Sequence, residues 1–170
     1  MGWKPLSLFH FTLSVASLER SIDFYAAIGF RVLRNNADVV WPDYVATQFG
    51  LERAQGRGAL LAIGDGDLHT RLDLIEWLEP KLVDSQAHLP IEERVPRIIA
   101  LRTRNVRAAY AELCERGIVF TKPPDPPDPR SGIEAVVLCR DPDGNLVELI
   151  EYMPGVLGSR IEHLEKRPSD

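Results

Sequence analysis

The sequence predicts an α+β fold built from two βαβββ modules in tandem. Three observations carry that prediction: a strand–helix–strand pattern written twice, a closing strand written twice, and tight-turn chemistry ahead of the second closing strand. Phe9 to Val15 alternates with period 2, placing Phe9, Phe11, Leu13 and Val15 on one face and His10, Thr12 and Ser14 on the other. Ser17 is an N-cap for a helix with Leu18, Ile22, Tyr25 and Ile28 at helical spacing. Gly29 ends it as a C′ glycine, and Phe30-Arg31-Val32-Leu33 begins the next strand.

From Pro96 the pattern returns. Ile98 to Leu101 reads as a strand, Asn105 as a cap, and Val106, Ala109, Tyr110 and Leu113 as the helical stripe. Gly117 stops that helix, and Ile118-Val119-Phe120 starts a strand. The offset is constant: 98 minus 10 and 117 minus 29 are both 88. The closing strands repeat as well, Leu72 to Trp77 matching Val147 to Tyr152 at an offset of 75. Such a repeat outranks any single motif as a guide to architecture.

The remaining segments are read around this frame. Asp38 to Leu51 looks like a strand with a bent loop, and Glu52 to Arg57 like an exposed turn. Ala59 to Ile63 and Arg71 to Trp77 form the first hairpin, around Gly64-Asp65-Gly66-Asp67. Glu134 to Cys139 and Leu146 to Tyr152 form the second, around Asp141-Pro142-Asp143-Gly144-Asn145, whose Pro presets φ and whose Gly and Asn tolerate left-handed backbone. The run Pro123 to Pro129 is a stiff extended loop, because proline suits neither helix nor central strand. Residues 1–80 are thus a first module, 81–95 a polar linker, 96–154 a second module and 155–170 a tail with a short helical pattern at Ile161 and Leu164.

Composition bounds the partners. A net charge of −5 and a pI near 5.4 speak against nucleic acid. No run of about 18 apolar residues is present to span a membrane, and the start Met1-Gly2-Trp3-Lys4-Pro5 lacks a signal-peptide core. Cys114 and Cys139 have no metal spacing and read as buried thiols in a reducing cytoplasm.

Candidate chemistry begins with Glu148. Alternation puts Glu148, Ile150 and Tyr152 on one face of the last strand and Val147, Leu149 and Glu151 on the other. A carboxylate amid so apolar a strand is costly to bury unless paired, protonated or metal-bound. Glu76 and Glu151 are expected to face solvent, as are His69, His88 and His163.

A duplicated module with His in its first strand, Asp-Pro-Asp-Gly-Asn before its last and Glu within it resembles the vicinal oxygen chelate superfamily, the glyoxalase, bleomycin-resistance and extradiol-dioxygenase group. The match covers residues 6–154. The resemblance implies U-shaped, partly open half-barrels with helices outside. In metal-using members a divalent ion is held by the first and last strands of each module. Position by position this implies His10, Asp73 and Glu148 as ligands of Mn, Fe, Co, Ni or Zn, with Ile98 standing where the fourth, a histidine, is usual.

An imidazole and two carboxylates suit such ions and leave coordination positions open for substrate. The expected activity is a metal-dependent lyase or isomerase acting on a small oxygenated molecule through a stabilised enolate, with Glu148 and His10 as catalytic groups. Thr12, Trp77, Ile98, Arg102 and Tyr152 are the candidate substrate contacts, Trp77 and Tyr152 as aromatic walls and Arg102 as an anion partner. The alternatives are a metal-free sequestering protein of bleomycin-resistance type, a metal-independent acid/base enzyme on His10 and Glu148, and a dioxygenase. Open half-barrels leave sheet edges that need cover, so a homodimer is expected.

Overall fold

The computed structural model describes residues 9–39, 41, 44–48, 50–64, 69–81 and 98–155. In chain order the elements are β1 His10–Ser14, α1 Leu18–Ala27, β2 Arg31–Asn35, α2 Tyr44–Gln48, β3 Gln55–Ala62, β4 Arg71–Glu79, β5 Ile98–Arg102, α3 Val106–Glu115, β6 Ile133–Arg140 and β7 Leu146–Tyr152. The chain divides into two compact units, residues 1–85 and 86–170. The expected linker core (82–95), the tail beyond Gly155, His88 and His163 lie outside the described residues.

Each unit holds one open, mixed sheet. In the first the strand order is β1-β4-β3-β2, with β1 parallel to β4 and the other pairs antiparallel. The second repeats the plan as β5-β7-β6, with β5 parallel to β7. The α+β assignment and the duplicated frame therefore stand. One face of each sheet is covered by a helix. In unit one Leu13, Val15, Ala59, Leu61, Leu72 and Leu74 are buried together with Leu18 and Tyr25 of α1. In unit two Val137, Cys139, Val147 and Leu149 are buried with Val106 and Leu113 of α3. Each such Leu or Val side chain contributes about 1.5–3 kcal/mol on burial, and truncating Leu74 to Ala would cost roughly 2–5 kcal/mol.

The helix ends follow the sequence closely. Gly29 has φ 104° and Gly117 φ 87°, a left-handed backbone that suits glycine. Phe30 N–H reaches Tyr25 O and Ile118 N–H reaches Leu113 O, both at 2.9 Å, while Gly29 and Gly117 bond the carbonyls of Ala26 and Cys114. Both helices thus close in the same Schellman geometry.

Several local expectations are corrected. Within Asp38–Leu51 the described segment Tyr44–Gln48 is a short helix, not a strand, with Ala46 buried; this burial overrides the β-propensity of Tyr44, Val45 and Thr47. Gln55–Arg57 belongs to strand β3 instead of an exposed turn. Ile118–Phe120 does not extend as a strand: Phe120 makes an isolated bridge to Cys139, and Thr121 N–H bonds Leu138 O. Pro123 and Pro124 follow and have no N–H with which to prolong the ladder.

Asn105 occupies the N-cap position but is left-handed at φ 56° and makes no side-chain cap bond. Cys114 is exposed; only Cys139 is buried, and burial pushes its thiol up to about 11. His69 is half-buried against Gly64, not exposed. Among the described residues no helix is long and apolar enough to cross a membrane.

The largest correction concerns Glu76 and Glu151. Both point into the helix-facing side of their sheets. Glu76 accepts a 2.7 Å bond from Leu18 N–H, and Glu151 a 2.9 Å bond from Val106 N–H. Leu18 and Val106 are the first residues of α1 and α3. Each glutamate therefore satisfies an orphan donor and sets a negative charge at the positive end of a helix dipole. Solvation loses to capping because the helix lies directly over the strand.

Candidate ligand-binding site

The face of each sheet turned away from its helix carries the polar candidates. In unit one, β1 and β4 run in register with His10 opposite Arg71 and Thr12 opposite Asp73. Period-2 alternation then sets His10, Thr12, Ser14, Arg71, Asp73, Ile75 and Trp77 on one side. Thr12 donates its hydroxyl to Asp73 Oδ2 at 3.2 Å. Burial raises the Asp73 carboxyl above the usual range, while the Thr12 hydrogen bond and the nearby His10 pull it down only partly. A half-buried carboxyl poised toward protonation can accept a proton or a hydrogen bond from a ligand. The Arg71 guanidinium lies 4.7 Å from the centroid of the Phe9 ring, so it is already engaged.

The far end of this face is aromatic. Trp77 donates its indole N–H to Ser14 Oγ at 3.1 Å. Its ring meets Trp41 edge-on, centroids 5.3 Å apart at 79°. Trp77 is opposite Gly56 on β3, and a Cβ at Gly56 would sit 2.5 Å from Trp41 Cη2. Glycine is thus what lets Trp41 lie on the strand. Sequence reasoning named Trp77 but missed Trp41, Ser14 and Gly56. The available signal was the alternation Gly56-Arg57-Gly58 in phase with the face of Trp77, which was mistaken for turn chemistry.

In unit two the same positions carry different chemistry. Ile98 and Ala100 stand where unit one has His10 and Thr12, at the constant offset of 88. Ala100 and Leu138 flank Glu148 across the ladder. Glu148 is half-buried, Ile98 is 55% exposed, Arg102 is exposed, and Tyr152 is half-buried opposite Ile133. Of the predicted site residues, then, one unit brings together His10, Thr12 and Asp73, on the face whose far end carries Trp77. The other holds Glu148, Ile98, Arg102 and Tyr152 on one face.

The duplicated βα unit closed by βββ or ββ, with its polar face opposite the helix, is decided as a family trait by sequence. A family model for the Glyoxalase/Bleomycin resistance protein/Dioxygenase superfamily matches residues 7–149. The chain belongs to this superfamily. Among solved structures, a glyoxalase family protein from Bacillus cereus superposes with a TM-score of 0.69 at 17% identity, covering 88% of this chain and 96% of that one. A glyoxalase/bleomycin resistance protein from Streptomyces sp. CB03234 is 27% identical, TM-score 0.54, covering 85% and 100%. The antibiotic binding protein TnmS3 from Streptomyces sp. CB03234 is 25% identical, TM-score 0.59, covering 89% and 99%. No curated protein matches the sequence.

Superfamily membership raises the question of a divalent ion. Among the described residues no group of three His, Cys, Asp or Glu side chains gathers. Unit one brings two donors to one face, His10 and Asp73; unit two brings Glu148 beside the apolar Ile98 and Ala100. Neither donor set is by itself sufficient for the three or more protein ligands that a catalytic metal ordinarily takes. Among the described residues, neither unit by itself supplies the donors of a metal centre.

Proposed function

We propose that this superfamily member binds a small, oxygen-bearing organic molecule on the open face of its first sheet without a resident metal. His10, Thr12 and Asp73 are its polar anchor. The observation that carries this reading is the exchange of His10 and Thr12 for Ile98 and Ala100 in the second unit. It takes a donor from the second unit and leaves an apolar surface there. The likeness to an antibiotic binding protein at 25% identity supports a binding role. Asp73, half-buried, accepts a ligand hydroxyl, His10 donates to or accepts from a neighbouring oxygen, and Thr12 orients the carboxyl.

The raised Asp73 carboxyl beside His10 favours a second reading in the same place, acid–base catalysis. There Asp73 takes a proton from carbon next to a ligand carbonyl, and His10 returns one to oxygen, with no metal in the cycle. It needs no ion, unlike the metal-dependent lyase that the resemblance implies.

Elemental analysis of untagged protein purified without chelator tests the metal-free claim. Substoichiometric Mn, Fe, Co, Ni and Zn are expected. One ion per chain, lost in His10→Ala, would overturn it. Thermal shifts with hydroxylated and carbonyl compounds test the anchor: a shift in the wild type that disappears in His10→Ala and Asp73→Asn is expected. Turnover of such a compound would decide for the second reading. The exposed edge strand β2, with Val32 and Leu33 outward, supports a homodimer, which sedimentation would reveal. The unpaired cysteines support a reducing compartment such as the cytoplasm.

A further inference from the structure

The two units differ most where Trp41 lies. Matching the ladders through β4 and β7, Gly56 opposite Trp77 corresponds to Ile133 opposite Tyr152, and Gly58 opposite Ile75 to Val136 opposite Ile150. In unit two, β-branched side chains fill the open face of this strand themselves. In unit one both are glycines: at Gly58 a Cβ would meet the Leu74 carbonyl at 2.8 Å, whereas the surface over Gly56 is filled from outside the sheet by the indole of Trp41. A sheet that needed only packing would carry a side chain here, as unit two does. Both indoles remain half-exposed, and the Ser14 hydroxyl fixes the orientation of Trp77. Two indoles held edge-on, part of each still open, offer a ready stacking surface for a third ring.

We propose that Trp41, seated on Gly56 against Trp77, is the specificity-determining residue of this face and selects a planar, fused aromatic ligand. This rests on the binding reading above and adds the ligand class. The span sets the size. Trp77 lies four residues beyond Asp73 on β4, roughly 13 Å at about 3.3 Å per residue. A ligand with two or three fused rings reaches from the indole pair to the Asp73 carboxyl, where a ring hydroxyl donates its hydrogen bond. Gly56 acts through Trp41: a methyl at Gly56 meets the indole edge at about 2.5 Å and displaces it.

The test compares 2-naphthol and 2-hydroxyanthraquinone with the saturated alcohol 2-decalol, by calorimetry on the full chain. The expected result is at least tenfold tighter binding of the aromatic probes. That preference disappears in Trp41→Ala and is largely retained in Trp41→Phe. Gly56→Ala weakens the aromatic probes to the same degree, and Trp41→Ala/Gly56→Ala no further than Trp41→Ala alone, since the methyl then meets only the Glu76 carbonyl, at 3.1 Å. The double variant keeps this comparison available if Gly56→Ala alone folds poorly.

An aromatic preference that survives Trp41→Ala overturns the proposal. If 2-naphthol and 2-decalol bind the wild type equally and both lose affinity in Asp73→Asn, the polar-anchor reading stands without this one. If none of the three probes binds the wild type, both are overturned.

Discussion

In both units a glutamate from the closing strand reaches the first N–H of the helix, yet only one of the two is held from behind. Glu76 also accepts from Arg57 at 2.9 Å, and Arg57 pairs in turn with Glu19. The residue matching Arg57 in the second unit is Ala135, so Glu151 caps α3 without that support. The open faces differ more sharply. Unit one has His10, Thr12, Asp73 and a hollow strand under Trp41; unit two has Ile98, Ala100, Glu148 and a filled strand. The lesson concerns which positions a duplicated fold can change. A cap buried between helix and sheet leaves an orphan donor when lost, whereas an open-face side chain has no such obligation and can be exchanged for a new ligand chemistry.

The strongest way to break this comparison is to remove the caps one at a time. Glu76→Ala should cost roughly 2–4 kcal/mol, because it strands the Leu18 N–H and leaves the partly buried Arg57 guanidinium with Glu19 alone. Glu151→Ala should cost less, about 1–2 kcal/mol for a lost cap. Urea unfolding of the two variants measures both. Equal losses would mean that Arg57 adds nothing to the first cap.

A subtler change addresses the open faces. Ile98→His gives unit two the imidazole that unit one has, diagonal to Glu148 as His10 is to Asp73. Divalent-ion affinity by equilibrium dialysis should rise at least tenfold over the wild type. An unchanged affinity would show that the added imidazole and Glu148 do not act together on an ion.

The smallest effect comes from Asp73. Its folded-state value lies above the unfolded one, so protonation stabilises the fold and that contribution fades as pH rises through the folded value. Asp73→Asn stays neutral throughout. It should melt roughly 1–3 °C above the wild type at pH 7, and this advantage should shrink to nothing as pH falls below the ordinary carboxylate range. An advantage constant across pH would assign it to packing instead of charge.

Much of this was legible without coordinates, and the pattern of what was not is instructive. Strand alternation at His10–Ser14 and Leu146–Tyr152, the stripe Leu18, Ile22 and Tyr25, and the stops Gly29 and Gly117 are local signals with local causes. So is the Asp141 turn, where that carboxylate accepts from Asp143 N–H, Asn145 N–H and the Asn145 amide. Repetition at fixed offset then multiplied their weight.

By itself, then, the sequence determined the α+β class, the duplicated frame, and which face of each strand carries His10, Asp73 and Glu148. Only the tertiary structure decided what the ambiguous residues do. Gly56 can mean a turn or a close approach, and only the indole of Trp41 across it tells which. Glu76 and Glu151 sit at positions that alternation assigns to the buried side, where a carboxylate is costly until a helix N-terminus from 58 and 45 residues away supplies its partner. Period and propensity act within a few residues; close approach and capping depend on which distant segment arrives, and that is settled when the chain packs.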